Sequence, residues 1–185
     1  PELRLGHAGG IIIKDSLGAS LRRQNKTSLL WMAQKIQNRE DTLETYIEAF
    51  KAAGNKWGAS SDVLQLAAGL ARSSELPIVE MGTGLSTIVM AAASKQTVWA
   101  VEHDPKYASE IETMAAAAGV PNVALVTCEL KDNWYDIQDE LPAQIGLAFV
   151  DGPPRYLGSD RMRFFDVYGD RCKVILVDDA NDAVT

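Results

Sequence analysis

The fold is decided by one stretch of the sequence, Val79-Glu80-Met81-Gly82-Thr83-Gly84-Leu85-Ser86-Thr87. Its first residues continue a short β-rich apolar run, and its last residues begin a pattern typical of a helix. Gly82 and Gly84 allow a tight turn between the two, and they let a ligand approach the backbone close to the amides of the helix N-terminus. The stretch therefore predicts a strand, a ligand-binding loop and a helix in direct succession.

The charges around this loop narrow the kind of ligand. A dinucleotide-binding loop has the pattern Gly-x-Gly-x-x-Gly, whose helix N-terminus holds a pyrophosphate, but Thr87 stands at the third glycine position here. Glu80 would repel a pyrophosphate, whereas it could orient a cationic amino-acid group, directly or through water. The loop therefore favours a ligand that carries an ammonium and a sulfonium.

Outward from the loop, short apolar runs alternate with helix-like segments. The predicted strands are 77–81, 97–101, 123–127, 145–150 and 173–177, and the predicted helices between them are 85–94, 105–118, 131–140 and 159–170. Such alternation predicts parallel strands joined by right-handed crossovers, in a Rossmann-like, doubly wound α/β sheet. Ligands of such sheets bind beyond the carboxyl ends of the strands.

The chain before this sheet is predicted to be mainly helical. Apolar residues recur at steps of three and four over 28–53, which indicates an amphipathic helix or helix pair that ends at Gly54. A further helix begins at Ser60 or Ser61 as N-cap. The run Ile11–Ile13 could be an edge strand or an ordered tail. We therefore divide the chain into an N-terminal extension, 1–57, and a ligand-binding domain, 58–185.

The second strand ends in Glu102-His103-Asp104-Pro105. Glu102 follows Gly82 at the spacing at which an acidic side chain accepts hydrogen bonds from both hydroxyls of an adenosine ribose. Asp104 is the expected N-cap of the next helix, with Pro105 at its first position. His103 could line the pocket or serve only as a local hydrogen-bonding group.

These residues together resemble class I S-adenosylmethionine-dependent methyltransferases, over roughly residues 58–180. The first motif of that family reads Glu/Asp-x-Gly-x-Gly, and its second strand ends in an acidic residue. The resemblance implies that S-adenosylmethionine is the cofactor. It places Cys128 and Glu129 beside the adenine, although a surface glutamate next to a buried cysteine would look the same. The implied cofactor-binding residues are Glu80, Gly82, Thr83, Gly84, Ser86, Thr87, Glu102, His103, Cys128, Glu129 and Asp151.

The end of the fourth strand adds a second signal. The run Val150–Pro154 closely resembles a Val-Asp-Gly-Pro-Pro motif in one branch of small-molecule methyltransferases, as does Asn133–Asp136. The resemblance implies a small-molecule acceptor, methylated on oxygen. Trp134 and Tyr135 would cover the adenine or belong to the core. The candidate catalytic residues are Asp151 and Asp178.

Three carboxylates are predicted to meet at neighbouring strand ends. Asp151, Asp178 and Asp179 could form an oxygen-rich site for a hard divalent cation. Catechol-type O-methyltransferases place a Mg²⁺-binding set at comparable strand ends, with Asn as the last ligand. This chain departs from that pattern, because Asp179 replaces the Asn and Pro154 and Arg155 stand near the position of the lysine base.

Composition excludes several function classes. The formal net charge is −7, and no run of Lys and Arg exceeds a pair, so we expect no nucleic-acid partner. No apolar stretch is long enough to span a membrane and no signal peptide is visible, so we expect no membrane partner and a cytoplasmic location. Two cysteines are too few for a disulfide framework.

The resemblance also raises a question about the end of the sheet. Class I domains add a helix and a two-stranded hairpin after the fifth strand, whereas only 181–185 remain here. We therefore expect the hairpin to be missing. Either the chain is truncated, or the exposed edge is covered by Ile11–Ile13 or by a partner chain, such as a second copy in a homodimer. Two alternative functions stay open, an NAD-dependent oxidoreductase and a non-catalytic cofactor-binding module. The sequence does not identify the methyl acceptor.

Overall fold

A computed structural model of the chain describes residues 27–52, 58–137 and 140–179. The helices are α1 (27–37), α2 (Leu43–Ala52), α3 (Ser61–Ser73), α4 (Leu85–Ala93), α5 (Pro105–Ala118) and α6 (Arg163–Tyr168), with short 3₁₀ helices at Arg155–Leu157 and Gly169–Arg171. The strands are β1 (Ile78–Met81), β2 (Val98–Glu102), β3 (Val123–Thr127), β4 (Leu130–Lys131), β5 (Trp134–Tyr135), β6 (Ile145–Val150) and β7 (Cys172–Val177).

Five strands form one parallel sheet in the order β3-β2-β1-β6-β7. Ile78 of β1 aligns with Val98 of β2 on one side and with Leu147 of β6 on the other. The prediction of a Rossmann-like, doubly wound α/β fold is thus confirmed. The strand order reverses between β1 and β6, and this switch point is where open parallel sheets bind their ligands.

The N-terminal caps of α3 and α5 are formed by the side chains that the sequence predicted. Ser60 caps α3, because its hydroxyl accepts a hydrogen bond from the amide of Val63. Asp104 caps α5 by accepting from the amide of Lys106, and Pro105 occupies the first helical turn. Both caps fix the start of a helix, and the second lies directly after β2, at the carboxyl end of that strand.

Two hydrophobic layers cover the sheet. On one face, α1 and α2 share a core with α3, α4 and α5, to which Met32, Tyr46 and Leu64 contribute fully buried side chains. On the other face, Phe164 of α6 and Trp134 of β5 pack against the strands. Every residue of β1 and β6 is buried, as expected of central strands covered on both faces.

The predicted helix 131–140 is wrong. Leu130–Lys131 and Trp134–Tyr135 form an antiparallel hairpin instead, with Leu130 opposite Tyr135 and Lys131 opposite Trp134. Asp132 and Asn133 make the connection with φ values of 51° and 60°. Positive φ at both central residues is the requirement of a two-residue type I′ turn, which Asp and Asn tolerate. The turn chemistry overrides the helix-like pattern.

Three sequence predictions lie outside the described residues. They are the edge strand or tail at Ile11–Ile13, the helix end at Gly54 and the short segment 181–185. In the part of the chain that the structure does describe, no helix has the length and apolar character required to cross a membrane.

Candidate functional site

A cavity of about 540 Å³ opens at the carboxyl ends of the strands. The loops after β1, β2, β6 and β7 supply most of its wall, so it lies across the switch point of the sheet. Its volume is in the range of pockets that hold small ligands and cofactors. The lining residues are Gly58, Gly82, Thr83, Glu102, His103, Asp104, Tyr107, Tyr135, Asp151, Gly152, Pro154, Tyr156, Arg161, Asp178 and Asp179.

The loop after β1 approaches the loop after β6 closely at the floor of the cavity. Gly82 has a φ of 86°, and a Cβ on this residue would lie 3.0 Å from the backbone nitrogen of Gly152. A Cβ on Gly152 would in turn lie 2.9 Å from the Cα of Gly82. A larger residue at either position would clash with the backbone of the other loop, so both positions need glycine. Both glycines line the cavity, where the lack of a side chain leaves room for a ligand.

Glu80 lies behind this loop rather than in the wall of the cavity. Its side chain is fully buried and accepts hydrogen bonds of 2.5 Å from the hydroxyls of Ser86 and Thr87. Thr87 also accepts from the amide of Gly84, at 3.1 Å. Burial raises the pKa of Glu80 to about 8, while the two hydroxyls act in the opposite direction. Glu80 thus anchors the first turn of α4 to the end of β1.

Glu102 holds the two loops beside the cavity together. One carboxylate oxygen accepts from the hydroxyl and the amide of Thr83, at 2.6 and 3.3 Å. The other accepts from the amides of His103 and Asp104, at 2.8 and 2.9 Å. The ring nitrogen Nδ1 of His103 is also 2.9 Å from this second oxygen, in poor alignment for a hydrogen bond. The carboxylate is therefore fixed at the end of β2, where the sequence places a ribose-binding group.

The three predicted carboxylates do meet, and an arginine lies among them. One oxygen from each of Asp151, Asp178 and Asp179 lies within 4.8 Å of the others. Arg161 Nη1 is 3.3 Å from Asp151 Oδ1 and 3.4 Å from Asp179 Oδ2, and it donates to the carbonyl of Asp178 at 2.9 Å. The Arg161 side chain is 8% exposed, and its guanidinium supplies positive charge among the three carboxylates.

The pKa of Asp151 reflects this environment. Burial raises it to about 7, with Asp178 and Asp179 acting in the same direction and Arg161 opposing them. The pKa of Asp178 is also raised, chiefly by burial. Two of the three carboxylates that a divalent cation would use, those of Asp151 and Asp179, are already in contact with Arg161. The cation would have to displace the guanidinium from both, so the three carboxylates as arranged here fit Mg²⁺ poorly.

The structure brings together about half of the predicted site residues. The cavity wall contains Gly82, Thr83, Glu102, His103, Asp151, Asp178 and Asp179. Outside the wall lie Glu80, Gly84, Ser86, Thr87, Cys128 and Glu129, the first four of which support the loop after β1. Cys128 is partly buried, and burial raises the pKa of its thiol to about 11.

The sequence analysis did not predict four of the side chains that line the cavity, or did not decide their role. Arg161 gave no signal, because an isolated arginine in a loop has no distinguishing spacing. Tyr107 and Tyr156, which are 48% and 81% exposed, stand at the mouth of the cavity. Tyr135 reaches the cavity through the β4–β5 hairpin, and the turn residues Asp132 and Asn133 were the signal that could have placed it.

No protein-family model and no curated protein match this sequence. Solved structures do match its fold. The O-methyltransferase TomG from Streptomyces achromogenes, involved in tomaymycin synthesis and solved with S-adenosylmethionine, is 21% identical with a TM-score of 0.55, over 73% of this chain and 63% of that chain. The precorrin-6y C5,15-methyltransferase from Geobacter metallireducens is 20% identical with a TM-score of 0.52, over 66% and 64% of the two chains.

TomG and the precorrin enzyme share this fold and are named for different methylation reactions. A 23S rRNA methyltransferase, ErmE, is 20% identical over 61% of this chain and 45% of that chain, and its TM-score of 0.41 is too low to support an argument. This chain spans less than two thirds of the length of TomG and of the precorrin enzyme. At these identities the comparisons establish the Rossmann-like fold alone.

Proposed function

We propose that the chain binds S-adenosylmethionine in the cavity at the switch point and transfers its methyl group to a small molecule, on an oxygen atom. The observation that carries the proposal is the fixed carboxylate of Glu102 beside the Gly82 turn, in a cavity of about 540 Å³. The cofactor supplies an activated methyl group and a neutral leaving group. The protein residues then contribute position and charge.

The β1–β2 half of the cavity suits the nucleoside. Glu102 would accept hydrogen bonds from the ribose hydroxyls, in place of the one it now accepts from the hydroxyl of Thr83. Gly82 leaves room for the ligand to approach the backbone. Glu80 contributes from behind the wall, because its carboxyl group holds Ser86 and Thr87 and so fixes the loop.

The β6–β7 half would face the acceptor. Asp151 lines the cavity, and its pKa of about 7 suits a group that takes a proton from an acceptor hydroxyl near neutral pH. Arg161 contacts Asp151 and Asp179 and would hold both carboxylates in place. Asp178 completes this wall. No step of the proposed reaction requires a metal ion.

The binding half of the proposal is tested with Glu102→Ala. The variant loses the charged acceptor for the ribose hydroxyls, so its affinity for S-adenosylhomocysteine is expected to fall by about 1–3 kcal/mol in isothermal titration calorimetry. Glu110→Ala, an exposed carboxylate on α5, is the matched control and should bind like the parent protein. Equal affinity in Glu102→Ala and the parent would reject the pocket as drawn, and tight NAD binding without any response to the nucleoside would favour an oxidoreductase.

The transfer half is tested by turnover. The protein is incubated with methyl-labelled S-adenosylmethionine and a panel of phenols, sugars and carboxylic acids, and labelled product is counted. We expect product with at least one acceptor and none with Asp151→Asn. Cofactor binding without turnover on any acceptor would instead indicate a non-catalytic binding module.

A further inference from the structure

Three side chains of the cavity wall carry a buried polar atom without a hydrogen-bond partner among the described residues, namely His103 Nδ1, Arg161 Nε and the hydroxyl of Tyr135. The Tyr135 hydroxyl differs from the other two because its side chain forms no ion pair with a carboxylate in the described residues. Tyr135 is 4% exposed, and within the described residues its buried hydroxyl makes no hydrogen bond. A buried hydroxyl without a partner lowers stability, because it has lost its bonds to water and gained none. In a lining residue such a group is available to a ligand.

The hydroxyl of Tyr135 lies where the two halves of the cavity meet. A Cβ built on Gly152 would be 2.2 Å from this oxygen and 2.9 Å from the Cα of Gly82. Gly82 follows β1 and Gly152 follows β6, and the strand order reverses between these two strands. The β4–β5 hairpin thus delivers a polar atom to the switch point, between the Glu102 side and the Asp151 side.

The electrostatic surroundings of this hydroxyl select for a cation. Burial raises the pKa of Tyr135 well above its usual value, and the carboxylates of Glu102 and Asp151 raise it further. The group therefore stays protonated and neutral, with lone pairs that can accept a hydrogen bond. Among the described residues that line the cavity, five carry a carboxylate and one, Arg161, carries a guanidinium. A ligand group placed here gains from carrying positive charge.

We propose that the Tyr135 hydroxyl accepts a hydrogen bond from the ammonium group of the amino-acid half of the cofactor. This inference rests on the proposed function and assigns a binding residue to it. Glu102, the proposed ribose-binding residue, ends β2, and β1 lies between β2 and β6 in the sheet. The Tyr135 hydroxyl lies near Gly152, which follows β6, so a 5′ substituent that crosses β1 from Glu102 would meet it. Glu80 is shielded from direct contact, because it is fully buried and accepts from Ser86 and Thr87.

The test is a thermodynamic cycle with two ligands and the variant Tyr135→Phe. S-adenosylhomocysteine carries the amino-acid group, whereas 5′-methylthioadenosine keeps the nucleoside and the sulfur but lacks that group. Calorimetry should show the affinity for S-adenosylhomocysteine reduced about 5- to 30-fold by the substitution. The affinity for 5′-methylthioadenosine should change by less than about twofold, because the nucleoside contacts are untouched.

Tyr46→Phe is the matched control. Tyr46 is also buried, but its hydroxyl donates to Asp41 at 2.6 Å, far from the cavity wall. This variant should lose thermal stability and keep both affinities, whereas Tyr135→Phe should keep its melting temperature or raise it. Equal losses for the two ligands, or no loss for either, would overturn the assignment of Tyr135. If the parent protein binds neither ligand, the proposed function fails and the inference falls with it.

Discussion

Arg161 determines whether the carboxylates at the ends of β6 and β7 can bind a cation. Its guanidinium contacts carboxylates at the ends of two strands, Asp151 after β6 and Asp179 after β7. Its Nε atom is buried without a partner in the described part of the chain. A guanidinium in this place supplies the charge that a divalent cation would otherwise supply, and it does so without an exchangeable ion.

We therefore expect Arg161→Met to create a metal site. In the parent protein, millimolar Mn²⁺ should produce no saturable binding heat, and a chelator should leave methyl transfer unchanged. In the variant, Asp151, Asp178 and Asp179 are freed and should bind Mn²⁺ with 1:1 stoichiometry, because oxygen-rich carboxylate sets suit hard cations. Arg163→Met, on the exposed start of α6, is the control. Saturable Mn²⁺ binding to the parent protein, lost in Asp179→Asn, would show that Arg161 does not hold the site.

The Gly82 turn yields a second prediction at this scale. In Gly82→Ala the new Cβ meets the Gly152 backbone at 3.0 Å while the residue keeps a positive φ, so neither strain can relax through a side chain. The free energy of unfolding should fall by about 1–3 kcal/mol in urea denaturation. Gly69→Ala in α3, where nothing lies within 4 Å of the Cβ, should instead raise it by about 0.5–1 kcal/mol. A neutral Gly82→Ala would mean that the two loops are not in contact.

At the scale of elements, the junction between β1 and α4 should make stability depend on pH. The pKa of Glu80 is about 8 in the folded chain and near 4.5 in the unfolded chain, so between these values the folded chain binds a proton that the unfolded chain has released. Stability therefore falls as the pH rises through this window and levels off above it. Asp151, with a folded pKa of about 7 against an ordinary value of 3.8, acts in the same direction.

Urea denaturation from pH 5 to pH 8 measures this slope. Glu80→Gln is neutral at every pH, so its free energy of unfolding should fall less with rising pH than that of the parent protein. The stability of the variant relative to the parent should therefore be greatest at pH 8. Glu75→Gln, an exposed substitution just before β1, should leave the slope unchanged. Parallel curves for the parent and Glu80→Gln would show that Glu80 does not change its proton binding on folding.

The elements that the sequence predicted correctly are those whose position depends on residues close together in the chain. The five parallel strands and the caps at Ser60 and Asp104 follow from apolar runs and short-range hydrogen bonds. The hairpin of β4 and β5 was missed, because the apolar spacing after Asp132 and Asn133 resembles a helix and only the turn residues contradict it. The position of Arg161 was beyond reach, since it depends on how a loop of the chain folds back over two strands.

At the scale of the whole molecule, charge is the property that bears on partners. The chain carries a formal net charge of −7, and three of its carboxylates, those of Asp104, Asp178 and Asp179, line the cavity. A polyanion approaching this face meets like charge over the entrance and a single guanidinium inside it. If the proposed function holds, we expect acceptors that are cationic or neutral rather than polyanionic.

We accordingly expect no binding to nucleic acid. A fluorescently labelled single-stranded RNA titrated with the protein at low ionic strength should show no change in anisotropy into the micromolar range, because few phosphates can be neutralised. A basic RNA-binding protein serves as the positive control of the assay. Saturable binding that weakens as salt is added would contradict this prediction and would indicate a local basic groove on the molecule.

The hairpin that carries Tyr135 has a consequence for how this protein can change. It forms its own two-stranded sheet and contributes no strand to the five that build the fold. The ligand contact proposed for Tyr135 is therefore encoded on a stretch of chain that makes none of the strand pairings of the central sheet. Substitutions at Tyr135 and at the turn residues Asp132 and Asn133 that keep Trp134, which packs against the strands, are expected to alter what the cavity accepts while the central sheet keeps its pairing. These positions are therefore the natural starting point for redesigning the ligand.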